Sequence, residues 1–220
     1  NIGGAELYLY RLSKKLIELG HSVYVVTTTS TKFRGIERPL LPRTETIDGI
    51  KILRAEAYFN GPGFVLASSI TQVLLKVNDA DIFNVHGLLS NISLEAVYKV
   101  KKALGGNAVL TVHDVTIANN LAMYIPLWQL YIHTLGRLLC ENVDAIISQN
   151  PEDAIFLKEK LKIPHTKVHI IPNGVDTEFF DPRKVTEEEK RDFIKKMNLE
   201  GKKILVFVGR LEARKRIELL

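Results

Sequence analysis

Two histidines are the residues of this sequence best suited to acid–base or hydrogen-bonding chemistry. His86 ends the run DIFNVH and His113 ends AVLTVH, and each run is typical of a buried strand. An imidazole can donate or accept a proton near neutral pH and can bind a metal. For His86 a structural hydrogen bond competes with a substrate contact, whereas Asp114 beside His113 favours a functional role there. A metal has the least support, because no third ligand stands at a suitable spacing.

A glycine pair, Gly3-Gly4, precedes an amphipathic run that ends at Gly20. Apolar residues recur there at steps of four and three, which predicts a helix with one buried face: Ala5, Leu9, Leu12, Leu16 and Leu19. The pair therefore lies at a helix N-terminus, where free amides and the helix dipole attract an anion such as phosphate. Glycine also permits positive φ and a close approach to the backbone. A plain tight turn is the alternative interpretation.

Further candidates follow other apolar runs. Arg210 and Lys215 come after KILVFV and could clamp a diphosphate, arginine as a planar fork and lysine as a mobile charge. Ser148 to Asn150 follow DAII at a predicted strand end and are candidates as well. Asn150 comes before Pro151, which predicts a capped helix start there.

These residues need elements that bring strand ends together. Apolar runs predict strands over 22–28, 50–54, 81–86, 108–113, 144–148 and 167–172. Helical patterns cover 64–77, 93–104, 121–140 and 150–161, and 33–47 is expected to be a loop. Strands alternating with helices predict an α/β fold with a doubly wound parallel sheet, in which ligands bind beyond the carboxyl ends of the strands.

The alternation ends at the turn Asn173-Gly174-Val175-Asp176, which predicts a domain boundary. Residues 1–174 form the first domain, whose first strand is expected before Asn1, and 175–220 form a linker and the start of a second domain. There Thr186-x-x-Glu189 predicts a capping box, 203–208 a buried strand, and 217–220 the start of a helix. We therefore expect the sequence to be truncated at both ends.

Composition narrows the class of protein. The chain has 220 residues, 46% of them hydrophobic and 25% charged, with a net charge of +5, as in globular proteins. Basic residues are interspersed with acids, so nucleic acid is not an expected partner, while anionic ligands or a membrane surface are. The single Cys140 has no internal disulfide partner, which favours a reducing, cytoplasmic location, including the inner face of a membrane. No apolar run is long enough for a spanning helix.

The whole series of landmarks resembles the family 4 retaining glycosyltransferases of GT-B fold, in the glycogen synthase and mannosyltransferase-like superfamily. The landmarks occur in order as GGAE, GHSVYVVT, DIFNVHG, TVHD, DAIIS, IPNGVD and VGRLEARK. The resemblance is lower over 31–77, where such enzymes vary with the acceptor. It implies two Rossmann-like domains facing a cleft, with the acceptor mainly on the first and the nucleotide-sugar donor mainly on the second.

The resemblance also implies roles for individual residues. His113 would be the catalytic histidine near the transferred sugar, Gly3 and Gly4 would meet the donor diphosphate, and Arg210 and Lys215 would neutralise the leaving group. The remaining candidates would border the acceptor or the cleft: His86, Asp114 and Asn150. Fixed cations and amides can stabilise a departing diphosphate, so no metal or cofactor is expected beyond the nucleotide diphosphate sugar. The partners implied are this sugar donor, a sugar or lipid-linked acceptor, and peripheral contact with a membrane.

The sequence departs from the family pattern in two places. The glutamate pair that contacts the donor would lie beyond Leu220, so a chain ending there is expected to be inactive or weakly active. Arg216 stands where the family commonly has glycine. A nucleotide-sugar epimerase of the same fold, or a non-catalytic carbohydrate- or lipid-acceptor-binding module, remains an alternative. A nicotinamide dehydrogenase is disfavoured, because Gly3-Gly4 lacks the third glycine of GxGxxG.

Overall fold

The computed structural model of the chain describes residues 3–30, 41–61, 64–68, 70–88, 90–113, 115, 125–209, 211 and 216–219. The chain divides into two compact units, Asn1–Asn173 and Gly174–Leu220.

The first unit opens with helix α1, Gly4–Glu18, as the amphipathic spacing predicts. Only the middle of the predicted apolar face turns inward, because Ala5 and Leu19 are exposed. Ser13 is buried and Tyr8 half-buried, so the inward face of α1 includes two polar side chains that hydrophobic periodicity could not select.

A three-stranded sheet follows α1. Strand β1 (Tyr24–Thr28) pairs in parallel with β3 (Ile50–Ala55), and β2 (Thr44–Ile47) pairs antiparallel with β3. Asp48 and Gly49 join β2 to β3 with φ angles of 48° and 82°. Two central residues with positive φ form the tight turn whose twist matches a hairpin. The predicted loop is therefore wrong over β2, and residues 33–40 of it lie outside the described residues.

A second hairpin corrects the predicted helix over 64–77. Strands β4 (Ala57–Gly61) and β5 (Phe64–Ala67) pair antiparallel, and helix α2 (Ile70–Leu74) follows. A 3₁₀ turn, Leu75–Val77, continues α2, so the prediction is right from residue 70 onward and wrong before it. The error has a physical cause, because a short apolar run fits a buried strand as well as a buried helix.

The main sheet has four parallel strands in the order β6-β7-β8-β9. They are β6 (Ile82–His86), β7 (Asn107–Val112), β8 (Ala145–Ser148) and β9 (Val168–Ile170). Each lies where a strand is predicted, and the predicted α/β class with a parallel sheet is confirmed.

Helices connect these parallel strands. Helix α3 (Asn91–Lys99) continues as a π turn to Leu104 and stops at Gly105, whose φ is 65°. Helices α4 (Ile125–Tyr131) and α5 (Arg137–Asn142) form the next crossover, joined by a π turn over Ile132–Gly136. Helix α6 (Pro151–Ile155) also ends in a π turn, Phe156–Lys160. The predicted helices are confirmed here, except that 121–124 lie outside the described residues.

The core lies between the main sheet and these helices. Its fully buried side chains include Val97, Leu110, Val112, Leu139, Ile146 and Leu157. Cys140 is free and buried among them. The packed sheet gives the carboxyl ends of β6, β7 and β8 fixed positions.

The second unit has little packed structure of its own. A 3₁₀ turn, Pro182–Lys184, precedes helix α7 (Glu187–Lys196), and the predicted capping box is present. Glu189 N–H donates to Thr186 Oγ1 (3.1 Å), and Thr186 N–H donates to the Glu189 carboxylate (2.8 Å). The predicted helix start at the end of the chain is a 3₁₀ turn, Ile217–Leu219.

The predicted buried strand over 203–208 is wrong. These residues form no regular element, and Leu205 and Val208 are 72% and 90% exposed. A strand is buried only when neighbouring strands and helices cover it. The second unit has no strand in its described part that could pair with this segment.

Candidate active site

Three side chains form a hydrogen-bonded row at the carboxyl ends of β6, β7 and β8. His86 Nδ1 lies 3.1 Å from His113 Nε2, and His113 Nδ1 lies 3.0 Å from Gln149 Oε1. The two imidazoles are stacked, with centroids 5.4 Å apart and planes inclined by 20°. Because neighbouring parallel strands end at one edge, residues distant in sequence meet there. The structure brings together the two histidines and Gln149, all of which are strand-end candidates of the sequence.

The hydrogen bonds, with Gln149 Oε1 toward His113, determine which tautomer each ring takes when it is neutral. A side-chain carbonyl oxygen only accepts, so His113 Nδ1 carries the proton and donates to Gln149 Oε1. His113 Nε2 is then the acceptor for His86 Nδ1–H. Burial, and secondly the nearby His113, lower the pKa of His86 from 6.5 to about 4. His86 is therefore an uncharged hydrogen-bonding group at neutral pH.

Tyr8 of α1 packs against both imidazoles. Its ring centroid lies 5.7 Å from that of His113, with the planes at 70°, and 6.1 Å from that of His86. Edge-to-face contacts of this kind are favourable between aromatic rings. Burial raises the pKa of Tyr8, and the Gln149 amide opposes this by favouring the phenolate. The helix that begins at Gly4 thus reaches the histidine pair one turn later.

The backbone after β6 fixes the position of His86. Ser93 Oγ donates to the His86 carbonyl (3.1 Å), and Gly87 N–H donates to the Thr111 carbonyl (3.0 Å). Gly87 has a φ of 90°, in the region that favours glycine. A Cβ atom there would meet nothing within 4 Å, so backbone conformation and not space requires this glycine.

The glycine pair lies at the N-terminus of α1, as predicted. The positive φ that we considered is not observed, since Gly3 is the N-cap with φ −86° and Gly4 is not among the positive-φ residues. A Cβ on Gly3 would lie 2.5 Å from Glu6 Oε2, whereas one on Gly4 would meet nothing within 4 Å. The Glu6 carboxylate therefore folds back over the helix start, where free amides favour negative charge. Contact with a diphosphate at this place stays a prediction.

Asn150 forms the N-cap of α6 with both ends of its side chain. Oδ1 accepts from Asp153 N–H (2.7 Å), and Nδ2 donates to Asp153 Oδ2 (2.9 Å). The predicted cap is confirmed, while a role for Asn150 in the cleft stays a prediction. The other predicted site residues lie outside the described residues: Asp114, Arg210 and Lys215. Arg216 has a φ of 46°, so an arginine stands where the backbone conformation favours glycine.

Tyr8 is the site residue that sequence reasoning did not single out. Gln149 follows β8 as His113 follows β7, and the strand-end rule selected it together with Ser148 and Asn150. Tyr8 stands one turn after Gly4, but an aromatic residue on an amphipathic helix is usually part of the core. Its packing against the histidines had no local signal.

A metal site was the least supported use of the histidines. Within the ranges that the structure describes, no three His, Cys, Asp or Glu side chains gather to hold a metal ion.

None of the helices in these ranges is both long enough and apolar enough to cross a membrane.

Comparison with known proteins gives a family for most of the chain. Residues 2–179 match the profile of glycosyltransferase family 4. The chain is 26% identical over 225 aligned residues to the phosphatidylinositol N-acetylglucosaminyltransferase GPI3 subunit of Saccharomyces cerevisiae, covering 100% of this chain and 45% of the yeast protein. It is 24% identical over 196 residues to a phosphatidylinositol N-acetylglucosaminyltransferase subunit of Arabidopsis thaliana, covering 84% of this chain and 39% of the plant protein. The chain thus spans less than half the length of these relatives.

Proposed function

The chain belongs to glycosyltransferase family 4, and we propose that its protein transfers a sugar from a nucleoside diphosphate donor to an acceptor hydroxyl with retention of anomeric configuration. In this reaction the bond from the sugar C1 to the diphosphate oxygen breaks, and the diphosphate leaves with the electron pair. The acceptor oxygen bonds to C1, and its proton passes to the departing diphosphate. A site for this chemistry needs groups that stabilise negative charge and groups that hydrogen-bond near C1.

The observation that best supports the proposal is that helix α1 connects an anion-binding type of helix N-terminus with the histidine pair. The amides at the N-terminus of α1, at Gly3 and Gly4, have no partners inside the helix, and a diphosphate there would take the place of the Glu6 carboxylate. Tyr8, one turn later, packs against His113. Four residues of helix rise about 6 Å. A diphosphate at the helix start would therefore lie within a sugar's length of the histidine pair.

The protonation of His86 and the contacts of His113 favour a hydrogen-bonding role for this pair over neutralisation of the diphosphate charge. His86 is uncharged at neutral pH, because its pKa is lowered to about 4. His113 shares a hydrogen bond with it and with Gln149. We propose that His113 hydrogen-bonds the transferred sugar, and that Arg210 and Lys215 neutralise the diphosphate without a metal or other cofactor.

The relatives' names suggest a donor and an acceptor. Both name phosphatidylinositol and N-acetylglucosaminyl transfer, and both describe one subunit of a larger protein. We propose that this protein moves N-acetylglucosamine to the inositol lipid, as one subunit of an assembly at the cytoplasmic face of a membrane. The net charge of +5 favours contact with an anionic lipid surface.

The test is transfer of labelled N-acetylglucosamine from nucleoside diphosphate donors to phosphatidylinositol vesicles by the complete protein. We expect a labelled lipid with the anomeric configuration of the donor, and a kcat about 100-fold lower or more for His113→Asn. His133→Asn, which changes an exposed histidine on the π turn after α4, is the matched control.

The other outcomes separate the alternatives. An epimerised donor without transfer would favour an epimerase. Lipid or sugar binding without turnover in the fully assembled protein would favour a binding module, and either result would contradict the proposal. Equal turnover by His113→Asn and wild type would remove His113 from the site.

A further inference from the structure

We propose that Gln149 is a positioning residue for His113: its carbonyl holds the His113 proton on Nδ1, so that Nε2 stays unprotonated and faces His86. The contacts are the 3.0 Å distance from His113 Nδ1 to Gln149 Oε1 and the 3.1 Å distance from His113 Nε2 to His86 Nδ1. The effect on catalysis rests on the proposed function, whereas the tautomer is a property of the chain itself.

Gln149 stands between two residues with fixed positions. Ser148 is fully buried at the end of β8, and its Oγ donates to the Asn150 carbonyl (2.7 Å). Asn150 is tied to Asp153 in the first turn of α6. The backbone at Gln149 is held on both sides, so its side chain meets His113 from a defined direction. Such support is what keeps a histidine in one tautomer and orientation.

The two ends of the Gln149 amide impose opposite tautomers on His113. With Oε1 toward the ring, Nδ1 must carry the proton. With Nε2 toward the ring, Nδ1 would have to be bare, and Nε2 of His113 would donate to His86. In the second arrangement the ring proton of each histidine lies on the other nitrogen, so a measurement of the His113 tautomer distinguishes the two.

The carbonyl end of the Gln149 amide is the end that meets His113, with Oε1 3.0 Å from His113 Nδ1. The other end, Nε2, is buried and has no partner within normal hydrogen-bond distance among the described residues.

In this arrangement both hydrogen bonds of the row point the same way, from His86 toward Gln149. His86 Nδ1–H donates to His113 Nε2, and His113 Nδ1–H donates to Gln149 Oε1. A substrate hydroxyl that displaced His86 from Nε2 would therefore meet a hydrogen-bond acceptor. Without Gln149 the neutral ring could hold its proton on either nitrogen, and only one of the two forms would accept.

The tautomer can be read by ¹⁵N NMR of the 220-residue chain labelled at histidine ring nitrogens, at alkaline pH. Protonated and bare ring nitrogens resonate in separate ranges, and His113→Asn assigns the signals. We expect wild-type His113 to show a protonated Nδ1 and a bare Nε2. Gln149→Met, which has no oxygen, should give a mixture of tautomers, and Gln149→Glu, which keeps an acceptor, should retain the wild-type form.

Gln129→Met is the control, because it makes the same substitution at an exposed glutamine of α4. It should leave the His113 signals unchanged. A wild-type His113 protonated on Nε2 would overturn the proposal without any variant. Wild-type signals in a folded Gln149→Met chain would also overturn it. If Gln149→Met does not fold, the wild-type and Gln149→Glu spectra still decide.

Activity of the complete protein tests the consequence. Gln149→Met should lower kcat about 10-fold to 100-fold with little change in the acceptor KM, and Gln149→Glu should recover part of the loss. Unchanged kcat in Gln149→Met would overturn the positioning role. Absence of transfer by the wild type would count against the proposed function alone, since the NMR result is independent of turnover.

Discussion

His86 makes the stability of the fold depend on pH in a defined window. Its pKa is lowered to about 4 in the folded chain, from the 6.5 of an ordinary histidine. Between these values the unfolded chain binds a proton that the folded chain does not, so the free energy of unfolding falls as pH decreases. The shift corresponds to about 3 kcal/mol, lost between about pH 6.5 and pH 4 and fully present above that range.

His86→Asn should remove this part of the pH dependence. Urea unfolding at about pH 7 and about pH 4.5 should show a decrease in stability that is smaller in the variant than in the wild type by about 2 kcal/mol. Other titrating groups contribute to both proteins, so the difference isolates His86. His133→Asn should follow the wild-type curve. Parallel curves for wild type and His86→Asn would mean that His86 is not held neutral by the fold.

Single residues of the site could be predicted only where a local rule points at them. His86 and His113 end apolar runs, and the ends of parallel strands are where ligands bind. Gln149 follows β8 and is selected by the same rule. Tyr8 joins the site through contacts with residues far away in sequence, and no local pattern encodes these contacts. The Asn150 cap, by contrast, is encoded within four residues and was predicted together with its helix.

At the scale of elements, Asn91 holds the β4–β5 hairpin to the start of α3. The Asn91 side chain pairs with the backbone of Val65 in the way that a neighbouring strand would. Val65 N–H donates to Asn91 Oδ1 (2.9 Å), and Asn91 Nδ2 donates to the Val65 carbonyl (2.8 Å). Asn91→Ala would leave both backbone groups without these partners. We expect the free energy of unfolding to fall by about 1–3 kcal/mol, measured by chemical denaturation.

Asn142→Ala is the matched control for Asn91→Ala. The Asn142 amide donates one bond, to the Leu138 carbonyl (2.8 Å), in an exposed part of α5. Its loss should cost less than about 1 kcal/mol. Equal losses for the two variants would contradict the view that the Asn91 contact fixes the hairpin.

The elements that the sequence predicted correctly share one property. Strands β6, β7 and β8 are continuous apolar runs between helices, and the structure gives each of them neighbours on both sides or at one edge. The run over 203–208 has the same local character but has no partner strand in the described part of its unit. A local sequence pattern shows only that a segment tends to be buried. Whether it is buried depends on the strands and helices available to cover it. For β2 a signal was available and missed, since Asp48-Gly49 between apolar residues favours a hairpin.

At the scale of the whole molecule, the two units differ in how much core each contains. The first unit contains the buried side chains that pack between the main sheet and its helices. In the second unit, none of the described residues is buried. Helix α7 there depends on its own backbone bonds and its capping box, with acidic residues in its first turn and lysines in its last. Such end charges favour a helix by a few tenths of a kcal/mol each, far less than a packed core provides.

Hydrogen exchange should therefore separate the units. Amides of β7 and β8 are expected to exchange only through large openings, which cost about 5 kcal/mol or more, whereas amides of 203–208 should exchange at nearly the rate of a free peptide. The expected protection differs by at least about 1,000-fold, with α7 in between. Mass spectrometry of peptic peptides from the 220-residue chain measures all three segments in one experiment.

Thr186→Ala should bring α7 closer to the unprotected limit and leave β7 unchanged, because the cap acts within its own helix. Protection over 203–208 equal to that of β7 would mean that this apolar segment is covered in solution, contrary to its exposed arrangement in the structure.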